Sequence, residues 1–195
     1  MSSQQAAATQ NLKTRKSHHI GTLSPEMALL GLLYGQPGYG YDLHRKVINE
    51  LGQVWHLSQS QAYLILKRLE AQRDISSIEI SQEKLPARQL LQITEQGCAR
   101  FLDWLAATSG GSVRAMRMEF VTRLYFINQY FPERLIQIFE DQKAEAQTHI
   151  QRLAKTHAEL PTNQIHNRMS LDLRLRQLQC VMEWLEENQK TFQGG

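Results

Sequence analysis

The order of element signals between Ser24 and Ala107 constrains this chain most: three helices, two short strands, then a fourth helix. Ser24 is placed as an N-cap, Pro25 at the first helical position and Glu26 in the first turn. The apolar run Met27, Leu29, Leu30, Leu32, Leu33 follows and stops at the turn cluster Gly35-Gln36-Pro37-Gly38. A second helix is expected from near Tyr41 to Gly52, with Leu43, Val47, Ile48 and Leu51 facing inward. Ser58 opens a third, and its spacing to Gln61 is that of a capping box. At 100° per residue, Ala62, Ile65, Leu66 and Leu69 fall in one arc, with Ser60, Leu64, Lys67 and Ala71 opposite and Tyr63 and Arg68 flanking. Ile75-Ser76-Ser77-Ile78-Glu79-Ile80 and Leu90-Leu91-Gln92-Ile93 read as strands joined by a charged connection, and Thr94 caps a helix to about Ala107. This is the order of a winged helix-turn-helix.

Flanking this block, residues 1–20 are polar, carry Lys13, Arg15 and Lys16 with no acid, and read as a disordered basic arm. Ser109-Gly110-Gly111-Ser112 is the clearest linker. The division expected is therefore an arm (1–20), a winged-helix domain (21–108), a linker (109–112) and a helical domain (113–195). In the last, helices are expected near 113–130, 133–159 and 166–191, broken at Phe131-Pro132 and Pro161-Thr162-Asn163. Leu171, Leu175, Leu178, Met182 and Leu185 recur at the 4-3-4-3 spacing of a coiled-coil seam and are expected to dimerise the chain. The cluster Phe120, Val121, Leu124, Tyr125, Phe126 and Ile127 is likewise expected to need a partner subunit. The fold class is mainly α: a winged helix-turn-helix of three helices and a two-stranded wing, then an all-helical dimerisation domain.

Composition narrows the function. The 195 residues contain no apolar run long enough to cross a membrane, no secretory signal and only two cysteines, Cys98 and Cys180. A soluble, reduced, cytoplasmic protein is expected, with both cysteines in the core. Lys and Arg number 22 against 19 acids, a net charge of +3. Without the arm, the winged-helix block is slightly acidic, so a DNA-binding face must come from local placement.

A helix entering the major groove needs short polar groups in its first turn for base edges and cations for phosphates. Ser58, Gln59, Ser60 and Gln61 supply the first; Tyr63, Lys67 and Arg68 supply phosphate or edge contacts, and Leu64 offers an apolar surface to a thymine methyl. The plainer reading is a solvated face with Ser58 and Gln61 spent on capping. Lys84 and Arg88 in the wing suit a phosphate or the minor groove, or simply face water. The arm either releases counterions from DNA or does little.

Enzyme readings find little support. Gly35-Gln36-Pro37-Gly38-Tyr39-Gly40 lacks the Lys-Ser/Thr of a phosphate loop and follows no strand. His149 and His157 are eight residues apart, about 12 Å of helical rise, too far to chelate one metal as an i, i+4 pair does; His166 is more distant still. No cofactor is expected. Trp55, Trp104 and Trp184 read as packing anchors or as the lining of a ligand pocket.

Leu23-Ser24, Gly40-Tyr41-Asp42-Leu43, Leu57-Ser58 leading to Tyr63, Leu66-Lys67-Arg68-Leu69-Glu70 and Ile93-Thr94-Glu95-Gln96-Gly97, in this order and spacing, resemble PadR-family transcriptional regulators over roughly residues 20–108. Arg117, Leu124, Tyr125, Phe126 and Glu183-Trp184-Leu185 resemble the family's virulence-activator type of helical C-terminal domain. The sequence departs from the resemblance at Leu64, where the family commonly has proline, and at Leu90 and Leu91, where tyrosines are usual. The resemblance implies a homodimer on an inverted-repeat double-stranded DNA operator, usually repressing, in some members under a small-molecule effector. The alternative from another class is a winged-helix module that binds a protein and no DNA.

Overall fold

The computed structural model describes residues 23–82 and 85–193. The arm, with Lys13, Arg15 and Lys16, and the wing residues Glu83 and Lys84 lie outside the described residues. The chain forms two compact units that divide between Ala107 and Thr108.

In the N-terminal unit, α1 (Glu26–Gly35) is apolar around its circumference, and residues 28–33 are all buried. Such a helix belongs at the centre, and α1 packs against α2 (Gly40–Leu51), α3 (Gln59–Ala71) and α4 (Glu95–Ala106). The Ser24 hydroxyl accepts from the Glu26 N–H at 3.4 Å, so it serves the helix start one residue ahead of Pro25. On α2, Leu43, Val47 and Leu51 point inward at intervals of one turn. Ile48, expected to join them, is instead 40% exposed, because it lies one residue past that stripe.

The turn cluster after α1 holds more than a turn. Gly38–Tyr39 forms a short strand, β1, antiparallel to β3 (Leu85–Ile93), with Gly38 opposite Leu91 and Tyr39 opposite Leu90. β3 also pairs with β2 (Ile75–Gln82), giving sheet order β1-β3-β2. Two residues carry no periodicity, so only the pairing partner reveals this strand. Both wing strands are also longer than their apolar cores suggest.

The junctions around α3 are closely specified. Its C-terminus is a Schellman motif: the Asp74 N–H bonds the Leu69 carbonyl and the Arg73 N–H the Glu70 carbonyl, both at 2.9 Å. Arg73 takes the left-handed position there, φ 63°, where glycine is usual. The Asp74 carbonyl then accepts from the Thr94 N–H and hydroxyl, each at 3.0 Å, and Thr94 also caps α4 through the Gly97 N–H at 3.1 Å. Gly97 sits so close that a Cβ there would lie 2.0 Å from the Asp74 carbonyl oxygen. The Thr94-Glu95-Gln96-Gly97 turn is thus the joint between the wing, α3 and α4.

The described elements of the C-terminal unit are all helical: α5 (Val113–Ala115), a π-helical turn (Met116–Phe120), α6 (Val121–Tyr130), a 3₁₀ turn (Pro132–Arg134), α7 (Leu135–Glu159) and α8 (Ile165–Gln193). α7 and α8 run antiparallel, since Glu140 meets Gln189 at one end and Arg168 meets the His157 carbonyl at the other. Phe120, Leu124, Phe126 and Ile127 are buried within one chain, with Val121 and Tyr125 half-buried. The expectation that this cluster needs a partner is corrected: Phe139 and Trp184 meet the Phe120 ring at 5.5 and 6.1 Å. Cys180 is exposed, contrary to expectation, and Cys98 is half-buried.

Ser109, read as linker, is buried in this unit. Its N–H donates to Gln142 Oε1 at 2.8 Å, its carbonyl accepts from Gln142 Nε2 at 3.2 Å, and its hydroxyl accepts from Arg123. Arg123 is itself buried and lies 3.7 Å from Glu119. Burial pulls its guanidinium down to about 10 against the opposing pull of Glu119. Polar groups so removed from water persist because each has partners.

Candidate nucleic-acid interface

The first turn of α3 is held by its own residues. Ser58 Oγ accepts from the Gln61 N–H at 3.3 Å, and Gln61 Oε1 accepts from the Ser58 N–H at 2.9 Å and from the Ser58 hydroxyl at 3.0 Å. The box fixes where the helix begins, and His44 Nε2 on α2 reinforces it by donating to the Leu57 carbonyl at 2.8 Å. It also occupies the Gln61 carbonyl oxygen, which a two-point contact with adenine would need. Gln59 and Ser60 are exposed in the same turn.

The buried face of α3 is Ala62, Ile65, Leu66 and Leu69, so Ser60, Leu64 and Lys67 stand outward, all exposed. Tyr63 and Arg68 flank this ridge on opposite sides. The Tyr63 ring lies over Gly40 at the start of α2, where a Cβ would come within 2.9 Å of it. Gly40 therefore permits the close approach of α2 and α3. On the other flank Arg68, half-exposed, is ion-paired with Glu26 of α1.

Glu26 is shared. Arg100 of α4 donates to its other oxygen at 2.6 Å and pairs with the buried Asp74 as well. Burial would lower the Arg100 guanidinium, but hydrogen bonds to Asp74 and Glu26 hold it above its ordinary value. In the sequence Glu26 stands only as a helix-start acid, and nothing local connects it with Asp74 or Arg100. The Ser77 hydroxyl bonds Glu70 at 2.5 Å and ties the end of α3 to the wing.

In the wing, Arg88 is exposed on β3 opposite Ile80, and its guanidinium lies 5.9 Å from the centre of the Tyr39 ring on β1. Thus the strand missed in the sequence carries the aromatic that steadies Arg88. Burial and neighbouring Glu95 push the Cys98 thiol up, away from the reactive thiolate. Among the described residues, no group of three or more His, Cys, Asp or Glu side chains is placed to hold a metal ion, and no helix is long and apolar enough to cross a membrane.

Of the residues expected to dimerise the chain, Leu178 and Leu185 are buried within a single chain, while Leu171, Leu175 and Met182 are half-buried. No residue from 147 to 177 is buried, so the distal half of the α7–α8 hairpin has no closed core. Ile165, Met169 and Leu173 form an exposed stripe there.

Residues 29–102 match the transcriptional regulator PadR-like family, and residues 116–192 match the virulence activator alpha C-terminal family. The negative transcriptional regulator PadR of Bacillus subtilis (strain 168) is 28% identical over 133 residues, covering 68% of this chain and 72% of that protein. Among solved structures, Bacillus subtilis PadR in complex with operator DNA is 24% identical, covers 86% of this chain and 98% of its own, and has a TM-score of 0.42. The same protein in complex with p-coumaric acid is 24% identical over 87% of this chain and 98% of its own, at a TM-score of 0.38. The Vibrio cholerae virulence activator AphA is 20% identical, also over 87% and 98%, at a TM-score of 0.38. The chain thus carries a domain that matches the PadR-like family of transcriptional regulators in its first unit and one that matches the virulence activator alpha C-terminal family in its second.

Proposed function

We infer that this regulator binds double-stranded DNA as a homodimer at an inverted repeat, each subunit laying α3 in the major groove and setting the β2–β3 wing against the backbone. The observation that carries the reading is the outward ridge of α3: Ser60, Leu64 and Lys67 exposed on a helix whose start is fixed by a complete capping box. One such unit makes few phosphate contacts, so affinity and symmetry require two. Half-sites then lie about one helical turn apart, roughly 34–36 Å, or a multiple of it. Gln59 is the better placed of the two glutamines for a two-point base contact, since Gln61 gives an oxygen to the cap. Lys67 and Arg88 serve as phosphate contacts, with Arg68 in competition with Glu26. The reading assigns the protein a cytoplasmic location and no catalytic role.

Dimerisation falls to the distal α7–α8 hairpin, where Ile165, Met169 and Leu173 are exposed and Leu171 and Leu175 half-buried. Two helices alone give each other one interface, and a second copy supplies the next layer. Repression is the direction favoured, in keeping with the name of the Bacillus subtilis relative. A small-molecule effector would act by changing the spacing or tilt of the two α3 helices.

The test is a mobility-shift salt series on the DNA upstream of the protein's own coding sequence. Lys67→Ala should weaken binding to all sequences and reduce the slope of log K against log salt by about one charge per subunit. No shifted complex at low salt would overturn the DNA reading in favour of a protein-binding winged helix.

A further inference from the structure

Leu64 is 67% exposed, the most exposed large apolar side chain among the described residues. It lies one turn after Ser60 and one turn before Lys67 on the outward ridge of α3. Two of the long side chains beside it are engaged elsewhere: Tyr63 lies over Gly40 on α2, and Arg68 is paired with Glu26 on α1. Leu64 therefore stands clear at the middle of the surface that faces a bound duplex. Leu64 is not needed to close the buried face of α3, which Ala62, Ile65, Leu66 and Leu69 form.

The major groove presents one apolar group on its base edges, the thymine 5-methyl. The polar readers around Leu64 are short: Ser60 offers one hydroxyl, and Gln61 has its carbonyl oxygen in the capping box. We propose that Leu64 is a specificity-determining residue that packs against a thymine 5-methyl in each half-site. The proposal rests on α3 being the DNA-reading helix. It adds that recognition there is partly apolar and selects thymine over cytosine at one position per half-site.

Thymine replaced by deoxyuridine loses the methyl and keeps every hydrogen-bonding group. The full-length protein is first used to select its preferred duplex from a randomised pool. Each thymine in the half-sites is then replaced singly by deoxyuridine, and affinities are compared for wild type and Leu64→Ala. Alanine is the strongest helix former, so α3 keeps its shape in this variant. One replacement per half-site should weaken wild-type binding by about fourfold, the value of a methyl-sized apolar contact. Leu64→Ala loses the contact in both half-sites, so it should bind about sixteenfold more weakly and be indifferent to deoxyuridine at that position. Selected sites without thymine in the half-sites, wild-type binding insensitive to every replacement, or an Leu64→Ala variant that keeps the sensitivity would each overturn the role of Leu64 alone. A pool from which no sequence is enriched would overturn the DNA reading of α3 with it.

Discussion

The carboxylate of Glu26, at the first turn of α1, pairs with Arg68 on α3 and simultaneously with Arg100 on α4. The contact with Arg100 extends to Asp74, at the entry to the wing, so one chain of charges joins three helices and the sheet. The Glu26 side chain is only 12% exposed, whereas that of Arg68 is half in water. A DNA phosphate approaching α3 must share Arg68 with Glu26.

Glu26→Gln should therefore have two effects of opposite sense. Stability should fall by about 1–2 kcal/mol, because Arg100 keeps Asp74 but loses a charged acceptor in a half-buried place. DNA binding at low salt should strengthen and its salt slope steepen, because Arg68 is released to meet a phosphate. Urea unfolding reads the first effect and anisotropy in a salt series the second. A weaker, flatter DNA response would mean that Glu26 instead holds Arg68 in its binding position.

Gly97→Ala should destabilise the N-terminal unit by about 3 kcal/mol. The added methyl would meet the Asp74 carbonyl oxygen at 2.0 Å, and that oxygen is fixed by two bonds from Thr94. Relief requires moving α4 away from the end of α3, which breaks the Thr94 cap. An unchanged denaturation midpoint would show that the joint yields at no cost.

These two sites mark what the sequence makes legible. The capping box at Ser58 and Gln61 and the Thr94 cap are local patterns, four residues long, and both form as their spacing implies. The inward arc of α3 follows from helical geometry alone. Glu26, Asp74 and Arg100 are far apart in the chain and meet only because α1, the wing and α4 pack together. Strand β1 is similarly tertiary, two residues made a strand by β3. Within the C-terminal unit, counting helices underestimated how much three of them cover: the Phe120 cluster closes with Phe139 and Trp184 of the same chain. At the interface, spacing already gives the cap at Gln61 and the outward place of Leu64, but only the packing shows that Tyr63 lies over Gly40 and that Arg68 is paired with Glu26.

Glu119 gives the C-terminal unit a pH signature. Burial pushes its carboxyl up, and Arg123 pulls it back only in part. A carboxyl with a raised folded pKa holds its proton more tightly in the folded state. Its contribution to stability is complete below the unfolded value and is lost as pH rises through the folded one. Relative to Glu119→Gln, wild type should therefore lose stability upward from the ordinary glutamate value of 4.5, with the two curves parallel below it. Urea midpoints across this range decide it, and curves parallel throughout would show that Arg123 fully offsets the burial.

The two halves of the α7–α8 hairpin should respond oppositely to added charge. Leu178 is buried inside one chain, so Leu178→Asp places a carboxylate in a closed core and should unfold the C-terminal unit. Met169 and Leu173 are 64% and 57% exposed in one chain, so aspartate at both leaves the isolated subunit's core intact. In a dimer that covers this stripe, the same pair of changes buries two charges per subunit without partners. Met169→Asp with Leu173→Asp should therefore give a helical monomer by sedimentation and circular dichroism, with DNA affinity falling toward that of a single half-site. A double variant that still sediments as a dimer would move the interface off this face of the hairpin.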